Sequence, residues 1–192
     1  LWLADATGDV RYQDKARRLA RFLRNRLRLA EDGAYVWEYW PPLDGAGDKF
    51  EDTSHAAINA DFIVRCAERN LVFDADDLAR LEKTFLTRVL PDPNAVCDTL
   101  SGTDGTNRYR YAPFFWARLA RHSPPARQRL MAFCRNGAAD RTCSPSEALG
   151  LALLVAATPE PASQPASRPT TQPATAPATQ PDRPGQGTNE RP

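Results

Sequence analysis

Residues 34–61, AYVWEYWPPLDGAGDKFEDTSHAAINAD, restrict the possible architectures more than any other stretch of the chain. Pro41 and Pro42 fix φ and lack backbone donors, and Gly45 and Gly47 follow closely, so neither a continuous helix nor a continuous strand can cross this segment. A loop therefore carries Tyr35, Trp37, Tyr39 and Trp40, including half of the chain's four tryptophans. Beyond it, Asp52 or Thr53 has the chemistry of a helix N-cap, which puts His55 in the first turn of a helix continuing through Asn59, Phe62 and Cys66. The expected result is an aromatic wall above a helix start whose unpaired N–H groups make it polar and electropositive.

Helical periodicity dominates the remainder. Over residues 12–30, Ala16, Leu19, Ala20, Leu23, Leu27 and Ala30 recur at three- and four-residue spacing, the apolar stripe of an amphipathic helix. Arg17, Arg21, Arg24 and Arg28 lie opposite. With no base-stacking module beside them, these arginines read as a solvated face, and no nucleic-acid partner is expected. The next helix spans 53–69, where Ala56, Ala60, Ile63 and Ala67 allow close packing. Asp74, with Asp77 three residues on, caps a third helix over 74–90 that Pro91 and Pro93 terminate. Helices are expected at 113–121 and 126–135. Ser144, Pro145 and Glu147 supply a cap, a first-turn proline and a capping-box acid for a last apolar helix through Val155. The residues before Gly8 read as the last turns of a helix, and the chain reads as the C-terminal part of a longer protein, continuous with an upstream helical region. No strand is expected.

From Pro159 onward nearly every residue is Pro, Ala, Ser, Thr or Gln, and more than half of the chain's 17 prolines fall there. Such a segment cannot bury apolar area, so residues 1–157 are expected to form the folded part and 158–192 a disordered tail. Hydrophobic residues at 42% suit a packed domain, and no run approaches the roughly 18 apolar residues of a membrane span. The net charge of +1 points to no class of partner. The spacings of Cys66, Cys97, Cys134 and Cys143 lack the short paired intervals of a zinc site, and neither a metal nor a cofactor is expected. Cys134 and Cys143 flank a short polar loop; a disulfide and two buried thiols are both compatible with that spacing.

The connections alternate: long at 31–52, short at 70–73, long at 91–112, short at 122–125. In antiparallel helical hairpins alternate connections emerge at opposite ends, so the two long loops are expected on one face. Those loops hold the candidate site. Trp37 and Trp40 can stack on sugar rings or plug the end of the bundle. Glu38, Asn59 and Tyr111 are candidate binding residues. His55 stands beside Glu51 and Asp52 and has the ordinary pKa best suited to proton exchange near neutrality.

TGDVRYQDKARRLARFL, WEYWPP followed by EDTSHA on the next helix, and paired helices with long loops at one end resemble the α/α-toroid carbohydrate-active proteins. That superfamily includes uronate epimerases, polysaccharide lyases and glycoside hydrolases. The resemblance implies an all-α fold of antiparallel hairpins forming part of a toroid, with a polysaccharide or oligosaccharide as partner. Together with the tail, the substrate class implies an extracytoplasmic location. Lyase or epimerase chemistry on a uronate needs its carboxylate neutralised, a base for the acidic carbon proton and an acid. Arg108 is the candidate for the first, His55 or Tyr39 for the second, and Tyr109 or Tyr111 for the third. A glycoside hydrolase of the same fold, and a noncatalytic carbohydrate-binding or scaffold module, are the alternatives.

Overall fold

The computed structural model describes residues 1–39, 49–137 and 145–156. Within these the chain is mostly helical, with a single two-stranded sheet. Helix α1 (Trp2–Thr7) ends at Gly8 in the left-handed conformation, and α2 (Val10–Arg24) starts from Asp9, whose carboxylate accepts from the Arg11 N–H. The helix expected over 12–30 therefore stops early. Strand β1 (Arg28–Leu29) pairs antiparallel with β2 (Tyr35–Val36) across a turn whose Gly33 has φ 78°. Asp32-Gly33 is a hairpin signal, and it overrides the helical preference of the preceding Arg-Leu run. The expectation of no strand is corrected accordingly. The apolar stripe of α2 is also narrower than its spacing suggested: Ala16 and Ala20 are buried, but Leu19 is 56% exposed.

Helix α3 (Thr53–Ala67) is the inner helix. Ala56, Ala57, Ala60, Ile63, Val64 and Cys66 are all buried on it. Helix α4 (Ala75–Thr84) begins with the capping box expected from Asp74 and Asp77, and continues as a π-helical turn, Phe85–Val89, closed by the Leu90 N–H donating to the Phe85 carbonyl at 2.8 Å. The hairpin is pinned to α4 by two buried bonds. The Tyr35 hydroxyl donates to Asp77 Oδ1 at 2.5 Å, and Thr84 Oγ1 donates to the Tyr35 carbonyl at 2.7 Å.

The single helix expected over 113–121 is broken. Helix α5 covers only Ala112–Phe115, and a 3₁₀ turn follows at Leu119–Arg121. Three-residue bonds from Trp116, Ala117 and Leu119 tighten the chain between them, which lets Phe114, Trp116, Ala117 and Leu119 all reach the core. Helix α6 (Pro124–Gly137) is longer than expected at both ends, and α7 (Pro145–Ala156) packs on α5. No helix among the described residues is long and apolar enough to cross a membrane. The expectations for Trp40, for the Pro41–Gly47 turn, for a Cys134–Cys143 bridge, for Ser144 as a cap and for a disordered tail concern residues outside the described ones. Cys66 and Cys97 are buried free thiols.

The two long loops meet at the start of α3. Asp52 and Thr99 form an antiparallel bridge, the Thr53 N–H donates to Asp98 O at 2.9 Å and the Leu100 N–H donates to Glu51 O at 2.9 Å. Buried Thr53 adds its hydroxyl to the Cys97 carbonyl at 2.9 Å. This seam fixes the backbone at Glu51, Asp52 and Thr53, directly before His55.

Candidate functional site

Asp52 organises the start of α3. Its Oδ1 accepts from the N–H groups of Ser54 and His55, both at 3.0 Å, and from the Ser54 hydroxyl at 2.5 Å. Its Oδ2 lies 2.6 Å from His55 Nδ1. Burial acts to raise the Asp52 pKa, but the bonds from Ser54 and His55 outweigh it and hold the carboxylate below its usual range. His55 moves in the opposite direction, upward, because its bond to Asp52 favours the imidazolium. The ring of Tyr39 packs edge-on against His55 with centroids 5.1 Å apart.

Glu51 is the most perturbed acid at the site. It is 5% exposed, and burial, followed by the neighbouring Asp52 charge, pushes its pKa up to about 7 against the partial relief of His55. The seam explains the burial: Glu51 lies between the first long loop, through its N–H to Trp37 O at 3.0 Å, and the second, through its carbonyl to Leu100. A carboxyl that titrates near neutrality can donate a proton as well as accept one.

Glu51, Trp37, Glu38, Tyr39 and Asn59 line one pocket of about 340 Å³, together with Phe22, Leu23, Asn25, Arg26 and Arg28 from the end of α2 and the start of β1. Arg28 pairs with Glu38 at 2.7 Å, and the Arg26 guanidinium lies 5.1 Å from the Phe22 ring centre. Five of the candidates drawn from sequence thus gather: Trp37, Glu38, Tyr39 and Asn59 in the pocket wall, and His55 against Tyr39. Trp37 does so from the core. It is 2% exposed, so it offers no free ring face on a rim.

The second loop does not join them. Arg108, Tyr109 and Tyr111 are absent from the pocket wall and form their own cluster leading into α5. The Arg108 guanidinium sits 5.2 Å from the Tyr109 ring centre, Tyr109 meets Tyr111 edge-on at 6.2 Å, and Tyr111 meets Phe115 at 6.4 Å. The loop reaches the site through its backbone at 97–100, ten residues earlier, which is why a shared face did not make a shared pocket. Sequence reasoning missed both arginines: it set Arg28 on the solvated side of a helix that in fact ends at Arg24, and it gave Arg26 no role. The Asp32-Gly33 turn was the signal for that early end.

A ligand atom from each of Glu51, Asp52 and His55 lies within 4.8 Å of the others, a spacing that one cation could bridge. In this structure Asp52 and His55 bind each other. Comparison with protein-family models, with curated proteins and with solved structures finds no match to this chain.

Proposed function

We propose that this chain is part of a carbohydrate-active protein of the α/α-toroid kind, acting on uronate-containing polysaccharide as a lyase or an epimerase, and located outside the cytoplasm. The observation that carries the reading is the pocket itself. It combines cationic side chains, Arg26 and Arg28, with a phenol, Tyr39, that touches a histidine held by a carboxylate, and with a carboxyl, Glu51, poised near neutrality. Arg26 and Arg28 take over the role first given to Arg108, that of neutralising the substrate carboxylate so that the neighbouring carbon proton becomes acidic. Tyr39 and His55 exchange that proton, with Asp52 orienting the imidazole, and Glu51 protonates the departing oxygen or the opposite face.

A glycoside hydrolase is the second reading, favoured by the presence of Glu38 and Glu51 in one wall. Glu38 is held by Arg28, and burial pushes the Glu51 pKa upward, as the acid of such a pair requires. The deciding experiment incubates the chain with uronate-containing and neutral glycans and follows unsaturated-product absorbance, reducing ends and solvent deuterium uptake. Unsaturated product or deuterium uptake supports the first reading, and reducing ends alone support the second. Binding without any of the three leaves a noncatalytic glycan-binding module, and neither binding nor turnover rejects the carbohydrate reading altogether.

A further inference from the structure

Two residues that line the pocket each carry a buried polar atom with no hydrogen-bond partner among the described residues: Trp37 Nε1 and Glu51 Oε1. Leaving such atoms unpaired is costly, about 1–3 kcal/mol each, and native interiors hold few of them. The other buried orphans, Arg88 Nε, Arg110 Nε and Trp116 Nε1, do not line this pocket. The two that do are not independent. Glu38 and Phe50 form an antiparallel bridge, the Glu51 N–H donates to Trp37 O at 3.0 Å and the Tyr39 N–H donates to Lys49 O at 3.3 Å, which sets Trp37 directly opposite Glu51. Directly opposed residues project from the same face of a pair, with Cβ atoms about 5 Å apart. Tyr39, two residues on from Trp37, shares that face and also lines the pocket.

We propose that Trp37 and Glu51 form a hydroxyl-recognition subsite, in which the indole Nε1–H donates to, and Glu51 Oε1 accepts from, a single hydroxyl of a sugar or polyol. With Glu51 ionised, a hydroxyl, donor and acceptor at once, pairs both atoms where a cation or a carboxylate would pair only one. Both atoms are closed to bulk solvent, so pairing them requires the Trp37 and Glu51 side chains to shift as the ligand enters. The choice of a sugar as the bearer of the hydroxyl rests on the carbohydrate reading above. This subsite gives that reading a specificity element: a site built around a hydroxyl discriminates against the deoxy analogue, since binding the analogue leaves both buried atoms unpaired.

The test uses the full chain labelled with ¹⁵N at tryptophan, with the Trp37 indole signal assigned by its loss in Trp37→Phe. Methyl glucoside, a glucuronate tetrasaccharide and deoxy analogues of both serve as probes. The expected results are a shift of the Trp37 signal with the hydroxylated probes and not with the analogues, and an affinity about tenfold weaker in Glu51→Met, which keeps the side-chain length but removes the acceptor. Circular dichroism verifies that each variant is folded, and an affinity per folded molecule is compared. An unmoved Trp37 signal, or equal affinity in wild type and Glu51→Met, overturns the subsite. A shift with methyl glucoside while no glycan is turned over keeps the subsite and removes the enzymatic reading. Turnover with an unmoved Trp37 signal does the reverse.

Discussion

Glu51 makes the stability of this protein depend on pH around neutrality. Its folded pKa, about 7, lies above the ordinary value of 4.5, so between those values the folded state holds a proton that the unfolded state has released. Stability from this group is fully present below pH 4.5 and is lost as the pH rises through 7, a loss on the order of 3 kcal/mol. Glu51→Gln removes the dependence. In urea unfolding at pH 5, 6, 7 and 8, the variant should gain on the wild type at each step, and a constant difference would show that Glu51 is ionised throughout. His55 has the same sign and a smaller effect: its folded pKa is also raised, so the Asp52 bond contributes most below pH 6.5 and less above the folded value. The cap, narrowed to Asp52 or Thr53, and the first-turn position of His55 were legible in the sequence, because capping is settled within four residues. The titration of Glu51 was not, since it depends on a backbone forty-nine positions away closing over it at Leu100, and neither was the burial of Trp37, which needs the strand pairing to be known.

At the scale of elements, the same division between local and distant causes recurs. Asp74 and Asp77 announce α4 because the capping box is local chemistry, whereas its π-helical end and the break after Phe115 answer to packing, as Phe85 and Trp116 meet with ring centroids 5.6 Å apart. Helix α7 approaches α5 closely at Gly150. A Cβ built at Gly150 would lie 2.8 Å from the Phe114 carbonyl oxygen and 2.9 Å from Phe114 Cα, so only glycine permits the helices to approach this closely. Gly150→Ala would ordinarily favour a helix by up to about 1 kcal/mol. Here it should destabilise by about 1–3 kcal/mol, because the clash is with backbone that cannot rotate away. Thermal unfolding followed by circular dichroism tests this, and a gain in melting temperature would mean that α7 does not dock on α5 as described.

For the whole molecule, two regions differ in what they can bury. Residues 158–192 supply almost no apolar side chains to offset an ordering cost of roughly 1–2 kcal/mol per residue. Truncation after Ala157 should therefore leave the melting temperature unchanged, and a fall of several degrees in calorimetry would show that the removed segment contributes to folding. The two long loops meet at the start of α3, and the proposed function requires this seam to hold a working pocket rather than to close one end of a helical bundle. The alternation of long and short connections made that meeting legible, but not which loop would furnish the side chains. The most direct measurement is made on His55→Ala, with denaturant unfolding and glycan binding or turnover determined on the same preparation. His55 is half exposed, with 51% of its side chain open to solvent, and its ion pair with Asp52 is of the kind worth about 0–1 kcal/mol. The predicted result is loss of turnover or binding with a stability change within about 1 kcal/mol. Strong destabilisation with undiminished binding per folded molecule would contradict the account and leave His55 as a structural residue of the bundle.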